Sequence, residues 1–282
     1  MVYVSRHPMR RNSLASLLDL NVTMNRGPTR IVCLTEEPTE ILCALGEAER
    51  IVGISAYTVR PQGIRDTKPI VSAFINGSVT KIKALKPDLV VGFSDIQSDL
   101  AAKLIKAHLP VLIFNQRSVD EILEVIGTLG RIVNAPKKAH ELVDGYRQRL
   151  ERIEGLSRHL NHRPRIYFEE WDDPMISGIQ WVSELIEIAG GQDVFHHLAN
   201  CKGAMDRVVT CEQVARSEPD IVMASWGGKP VDVEQIKARD GFSRIPAVIN
   251  NRIYEIDPCI ILQPGPAALT DGLDRLVQII RG

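Results

Sequence analysis

No stretch of this 282-residue chain approaches the roughly 18 consecutive apolar residues of a bilayer-spanning helix, so no membrane-embedded segment is expected. Charge of one sign is missing too. Lys plus Arg (34) nearly balance Asp plus Glu (35), which removes the basic surplus of a nucleic-acid binder. The five cysteines, Cys33, Cys43, Cys201, Cys211 and Cys259, are an odd count without CxxC spacing. That argues against a full disulfide framework and against a four-thiolate zinc site, and makes a reducing compartment the easier reading. No GxGxxG follows a strand-like run, and GxxxxGK[ST], HExxH and GxSxG are all absent. Dinucleotide binding, P-loop chemistry, zinc proteolysis and serine hydrolysis lose their usual support. His196-His197 has metal-ligating chemistry, but adjacent histidines in a polar loop are more often solvated, and no metal is expected.

The N-terminus lacks what an export signal needs. Arg10-Arg11 precede Leu14-Ala15-Ser16-Leu17-Leu18, but Asp19 and Asn21 limit the apolar stretch to about five residues, below the roughly 7 to 15 of a secretory signal. No small-x-small cleavage site follows. Residues 1–29 are therefore expected to be a poorly ordered leader on a cytoplasmic protein, with a periplasmic location as the alternative.

What is present is a duplication. Ile82-Lys83-Ala84-Leu85-Lys86-Pro87-Asp88-Leu89-Val90-Val91-Gly92-Phe93 is echoed by Val214-Ala215-Arg216-Ser217-Glu218-Pro219-Asp220-Ile221-Val222-Met223-Ala224-Ser225-Trp226. Each reads as a helical stub, a charged-Pro-Asp turn, a short buried strand and then an aromatic. Likewise Arg30-Ile31-Val32-Cys33-Leu34-Thr35-Glu36-Glu37 parallels Arg165-Ile166-Tyr167-Phe168-Glu169-Glu170-Trp171. Strands alternating with helices imply two related α/β lobes with parallel sheets, over 30–135 and 164–282. Between them, Leu142, Val143, Tyr146, Leu150, Ile153, Leu156 and Leu160 recur at helical period, predicting one continuous helix within 136–163. Gly190 suits a left-handed helix end.

Ligands of open α/β sheets sit at the carboxyl ends of the strands, where both aromatics and both acidic pairs fall. Glu36, Glu37, Glu169 and Glu170, with Asp172 and Asp173, predict an unusually acidic cleft, although helix capping and pairing with arginine are equally open to them. Asn115-Gln116-Arg117, Lys229 and Gln263 offer complementary polar contacts.

The order of elements resembles the cobalamin- and siderophore-binding proteins of ABC importers. The resemblance is carried by the Ala84–Phe93 run, by Ser177-Gly178 before a helix ending Ala189-Gly190-Gly191-Gln192-Asp193-Val194-Phe195, and by Ile245-Pro246-Ala247-Val248. It extends over about residues 30 to 281 and is nearest the cobalamin-binding branch. It implies a class III periplasmic binding protein-like fold, two Rossmann-like lobes joined by one long α-helix, and a non-catalytic role with cobalamin as ligand rather than cofactor. Tyr57, Phe74 and Phe93 match family positions whose aromatics pack on a corrinoid, and Trp171 and Trp226 fall in the corresponding loops of the second lobe. Glu36, Glu37, Asn115, Arg117, Glu170, Lys229 and Gln263 complete the expected ligand-binding set. A broad, partly apolar disc edged with amides rewards aromatic faces plus scattered hydrogen-bonding groups.

Two departures bear on a permease partner. Family members that dock on one carry an exposed Glu on each lobe; Glu212 matches the second position, whereas Thr80 stands at the first. The cysteine pair of the cobalamin importer protein is absent, Ala189 standing at one of its positions. The rivals are a ferric siderophore or haem binder, which would want clustered arginines or a cleft Tyr or His, and an enzyme using paired carboxylates, which needs one Glu with a raised pKa. The corrinoid-enzyme motif DxHxxG is missing.

Overall fold

Short apolar runs separated by amphipathic helices build two distinct sheets in the structure, a computed structural model that describes residues 27–282. The leader expectation lies, up to residue 26, outside the described residues. Lobe one runs β1 (Ile31–Cys33), α1 (Glu36–Ala44), β2 (Ile51–Ser55), β3 (Ile70–Ala73), β4 (Asn76–Gly77), α2 (Val79–Ala84), β5 (Leu89–Phe93), α3 (Ser98–Lys106), β6 (Val111–Phe114) and α4 (Val119–Ile132). Its sheet order is β4-β3-β2-β1-β5-β6. After α5 (Pro136–Ser157), lobe two runs β7 (Arg165–Asp172), β8 (Met175–Ser177), α6 (Gln180–Ala189), β9 (Gln192–Asp193), α7 (Cys211–Arg216), β10 (Ile221–Ala224), β11 (Ile253–Glu255) and α8 (Leu273–Arg281). Its order is β11-β10-β7-β8, with β9 pairing β7.

Both sheets are mainly parallel, as expected, with one antiparallel pair at an edge of each. β4 lies antiparallel to β3 and β8 antiparallel to β7. In each case only two residues, 74–75 or 173–174, connect the strands, which an antiparallel hairpin allows and a parallel crossover does not. Strands β3, β4 and β8 escape a periodicity reading because two to four residues are too few to show alternation.

The duplicated sequence is a duplicated structure. Asp88 accepts the backbone N–H groups of Thr29 (2.7 Å) and Arg30 (2.8 Å), while the Arg30 guanidinium donates to Leu85 O. In lobe two, Asp220 accepts the Arg165 N–H (2.8 Å) and the Arg165 guanidinium donates to Ser217 O. Both turns hold the residue before proline at positive φ, Lys86 at 48° and Glu218 at 41°. The Asp satisfies backbone donors at the start of the first strand of each lobe, so each Pro-Asp turn fixes the register between two neighbouring strands.

The linking helix α5 is unbroken at Gly145 and Gly155. It ends at Ser157, before Leu160, the last apolar residue of the predicted period, where the Ser157 hydroxyl contacts the carbonyls of Ile153 and Ile188. Its 22 residues span about 33 Å. It is more than a spacer: Ala139, Val143, Leu150 and Ile153 are buried, and the helix packs along α4 and α6. One apolar core accordingly runs from Ile31 in lobe one to Ile280 in lobe two. Gly190 ends α6 at φ 104°, a left-handed conformation that glycine adopts without steric cost.

Candidate functional site

The carboxyl ends of the parallel strands deliver nearly every expected site residue. Tyr57 lies two residues beyond β2 and is 49% exposed. Phe74 follows β3 at positive φ (50°), its carbonyl held by the Gln97 side-chain amide at 2.6 Å. Phe93 ends β5 and is buried edge-on against Trp181 of lobe two, with ring centroids 6.4 Å apart. Beyond β6, Asn115 is exposed, while Arg117 stacks over Phe93 (5.2 Å) and donates to Ser94 Oγ (3.2 Å) and Asp95 Oδ1 (3.0 Å). In lobe two, Trp171 near the end of β7 donates its indole N–H to Asp173 O (3.0 Å). Lys229 caps both tryptophans, 4.6 Å from the Trp171 centroid and 5.0 Å from that of Trp226, and pairs with Asp172 at 2.6 Å. A cavity of about 600 Å³ opens there, lined by Trp226, Gly228, Lys229, Pro230, Glu255, Asp257 and Pro258. Another, of about 550 Å³, lies among α4, α5 and α6 and holds none of the expected site residues.

Trp226 stands apart from the other aromatics. Only 2% exposed, it packs in the lobe-two core with its indole N–H on Glu169 Oε1 (3.1 Å). A strand-exit aromatic can point into the cleft or beneath it, and Trp226 does mostly the latter.

The expected acidic cleft is corrected, because its carboxylates are discharged. Glu169, fully buried, accepts from the Tyr167 hydroxyl (2.8 Å), Trp226 and both terminal nitrogens of Arg239. Glu170 meets Arg207 in a two-pronged pair at 2.7 and 3.2 Å, and Asp172 meets Lys229. In lobe one, burial pushes Glu36 up to about 7, and burial followed by the neighbouring Glu36 charge pushes Glu37 up to about 8. Glu36 accepts from Gln263 Nε2 (3.0 Å) and Glu37 from Thr35 Oγ1 (2.7 Å); the second oxygen of each is buried without a partner. The raised pKa required by the paired-carboxylate enzyme is thus met, but its access is not. Glu37 is 2% exposed and lies against Gly265, where an added Cβ would come within 2.7 Å of the Glu37 Cβ.

The lobes are held together mostly by residues that sequence reasoning passed over, Gln116 and Gln263 excepted. The Trp181 indole donates to Ile261 O (2.9 Å) and its ring meets Phe93. Glu184 of α6 accepts the Val119 N–H (2.7 Å) at the start of α4. Arg60 ties Glu40 (3.0 Å) to Asp271 (2.8 Å), Glu40 accepts the Ala267 N–H (3.0 Å), and Gln116 donates to Pro264 O (3.0 Å). Gln263 belongs with this set, since its amide reaches Glu36. Thr80 and Glu212 lie exposed on the first turns of the matching helices α2 and α7. Among the described residues no group of three or more His, Cys, Asp or Glu is placed to hold a metal, and no helix is long and apolar enough to cross a membrane.

A family model described as periplasmic binding protein matches residues 31–259. The chain belongs to that family. Its α/β architecture is the class III form of the fold, as the solved structures bear out. A periplasmic solute-binding protein of Staphylococcus epidermidis, described as possibly iron-binding, superposes with a TM-score of 0.78 at 26% identity, over 91% of this chain and 100% of its own. An uncharacterized ABC transporter substrate-binding lipoprotein of Bacillus subtilis is 28% identical over 269 residues, covering 92% of this chain and 82% of that protein. A vitamin B12-binding protein of Yersinia pseudotuberculosis is 24% identical over 241 residues, 82% of each chain.

Proposed function

We propose that this protein binds a corrinoid of the cobalamin type between its two lobes, without catalysis, and delivers it to an ABC permease. What supports the reading is the placement of aromatics at or just beyond the carboxyl ends of strands in both sheets: Tyr57, Phe74 and Phe93 in one lobe, Trp171 in the other. Such a wall suits a broad, partly apolar disc, and Asn115, Arg117, Glu170, Lys229 and Gln263 ring it with groups for peripheral amides. Glu36 and Glu37 form the floor, and Trp226 acts as the support beneath Lys229. The working units are the lobes at 30–135 and 164–282 with the linking element at 136–163. The interlobe hydrogen bonds and shared core favour small rocking over wide hinge closure. The B12-binding relative supports the ligand.

The relatives favour the periplasmic alternative over a cytoplasmic location, since they are a lipoprotein and periplasmic solute binders. Glu212, exposed at the lobe tip, is proposed to meet the permease; Thr80 offers no matching charge on lobe one.

A ferric siderophore or haem is the second reading, favoured by one observation: Arg117 and Arg207 both approach the cleft, where few cations were expected. Calorimetric titration with cyanocobalamin, hemin and a ferric catecholate decides between them. Heat with cyanocobalamin is expected, and its absence removes the corrinoid reading.

A further inference from the structure

We propose that the lobe-two strap at 263–271, seated on the first turn of α1, is a proton-operated latch between the lobes. It stays down while Glu36 and Glu37 are protonated and lifts when they ionise, so the ligand is held more tightly in mildly acidic than in mildly alkaline solution. The ligand half of this statement rests on the interlobe cleft being the ligand site; the latch itself does not. The strap meets lobe one along its length. Gln263 Nε2 donates to Glu36 Oε1 (3.0 Å), and the Pro264 carbonyl accepts from Gln116 Nε2 (3.0 Å). Gly265 lies so close to Glu37 that an added Cβ would come within 2.7 Å of the Glu37 Cβ. Beyond it the Ala267 N–H donates to Glu40 Oε2 (3.0 Å), and Asp271 takes the Arg60 guanidinium (2.8 Å).

This packing suits two carboxyls and not two carboxylates. Glu36 and Glu37 are 8% and 2% exposed, and Oε2 of each is buried without a donor. Gln116 Oε1, whose amide nitrogen holds Pro264, is a third buried acceptor of this kind. A carboxyl that keeps its proton adds a donor to a place that lacks them, whereas a carboxylate needs water. The cavity beside Glu36, lined also by Glu40, Val59, Arg60, Cys259 and Gln263, is about 10 Å³, the room of a single water. An ionised pair is hydrated only if the strap lifts. The titratable groups facing the pair are Glu40 on α1, Cys33 of β1, Arg60 after β2, Cys259 of the short helix Pro258–Ile261 and, along the strap, Asp271. The Arg60 guanidinium is already engaged by Glu40 (3.0 Å) and Asp271 (2.8 Å). The geometry agrees with the titration of the pair: burial pushes Glu36 up to about 7, and burial followed by the Glu36 charge pushes Glu37 up to about 8, although the backbone at the start of α1 pulls both down. With the strap lifted and water admitted, both return toward the ordinary 4.5. The seated strap thus holds protons that the lifted strap releases, so its seating is strongest below about pH 4.5 and is lost as pH rises toward about 8.

Hydrogen exchange of the strap amides, followed by mass spectrometry and corrected for the intrinsic effect of pH, reads the latch without any ligand. Amides of β10 serve as the reference for opening of the whole molecule. In the wild type, strap protection relative to β10 should fall at least about tenfold between pH 6 and pH 8. In the double variant Glu36→Gln, Glu37→Gln, where amides replace the protonated carboxyls, it should fall less than about threefold. Gly265→Ala, whose Cβ meets Glu37, should lower strap protection already at pH 6. Calorimetric titration with cyanocobalamin and with hemin at the two pH values tests the ligand half. Whichever binds should bind the wild type at least about fivefold more tightly at pH 6 than at pH 8, and the double variant about equally at both. Wild-type protection that is the same at both pH values, or that falls as far in the double variant, overturns the latch and leaves the corrinoid reading standing. Unchanged protection in Gly265→Ala at pH 6 overturns it too, because the strap would not be seated on Glu37. A fall in protection with unchanged affinity overturns the link to the ligand. Binding of neither compound removes the corrinoid reading and the ligand half together, while the exchange result still decides the latch.

Discussion

Glu36-Glu37 just beyond β1 and Glu169-Glu170 within β7 both belong to the segment that opens its lobe, yet their buried charge is disposed of by different means. Lobe two supplies arginines: Arg239 grips Glu169 and Arg207 grips Glu170. The lobe-one pair is met by the Thr35 hydroxyl of its own lobe and the Gln263 amide of lobe two, and burial holds both carboxyls toward the protonated form. A fixed countercharge is indifferent to pH over the neutral range, whereas a proton is not. Burial therefore makes the lobe-one pair sensitive to pH in the neutral range. Because Gln263 of lobe two bonds Glu36, that sensitivity sits on a contact between the lobes.

Breaking the lobe-two device should have the largest effect. Arg239→Leu leaves Glu169 fully buried without its countercharge, which typically costs about 3–5 kcal/mol. Urea unfolding should show that loss, and a companion Glu169→Gln on the same background should recover much of it. A loss below about 1 kcal/mol would mean that Tyr167 and Trp226 alone satisfy Glu169.

The lobe-one device predicts a pH dependence of definite sign. Glu37 rises from an ordinary 4.5 to about 8 on folding, so the folded state holds a proton that the unfolded chain has released. Stability from this group is full below about pH 4.5 and is lost as pH rises toward about 8, by up to about 1.4 kcal/mol per pH unit. Glu36, raised to about 7, adds to the same slope over a narrower window. Glu37→Gln should be close to wild type in acid and more stable than wild type at alkaline pH, by about 1–3 kcal/mol. Parallel pH profiles of the two proteins by chemical denaturation would show that the Glu37 proton is not responsible.

Much of this was legible in the chain, and the remainder was hidden for physical reasons. The paired runs ending in Pro-Asp announced two related lobes, because register-setting turns are local and repeat with the strands they serve. The linking helix was legible from its period. Arg207 and Arg239 lie 37 and 70 residues beyond the glutamates they pair with, in segments whose position is set only once the sheet has formed. Nothing in the local sequence distinguishes them from solvated arginines, and so the cleft read as acidic. Trp181 on α6 looks like an ordinary core tryptophan, and only the tertiary structure shows that it meets Phe93 from the other lobe. Trp226 was legible as a strand-exit aromatic, but the direction of its ring depends on the buried Glu169 carboxylate that its N–H satisfies.

The two tryptophans sharpen the comparison between wall and support at a smaller scale. Trp171, partly exposed beneath Lys229, is expected to act on ligand affinity: Trp171→Ala should weaken cyanocobalamin by about 2 kcal/mol, roughly thirtyfold, with little change in stability. Calorimetric titration beside thermal unfolding separates the two effects. Loss of stability without loss of affinity would place Trp171 with Trp226 among the supports.

The smallest effect is expected at Glu212, and it tests whether this lobe tip serves the protein itself or a partner. Glu212 lies in the first turn of α7, where an acidic side chain gains a few tenths of a kcal/mol from the helix dipole. The end of that helix is already closed by a reciprocal box in which Thr210 accepts the Gln213 N–H and Gln213 accepts the Thr210 N–H. The ion pair that Glu212 makes, with Arg216 at 2.6 Å, joins two side chains that are 71% and 79% exposed, a geometry in which water screens most of the attraction. Glu212→Ala should therefore change unfolding stability by less than about 0.5 kcal/mol and leave cyanocobalamin affinity as it was. A loss of affinity on titration would place Glu212 at the ligand rather than at the lobe tip. An unchanged protein leaves the carboxylate free for the permease contact proposed for it, and Thr80→Glu on lobe one then asks whether a second charge strengthens binding to a permease in detergent.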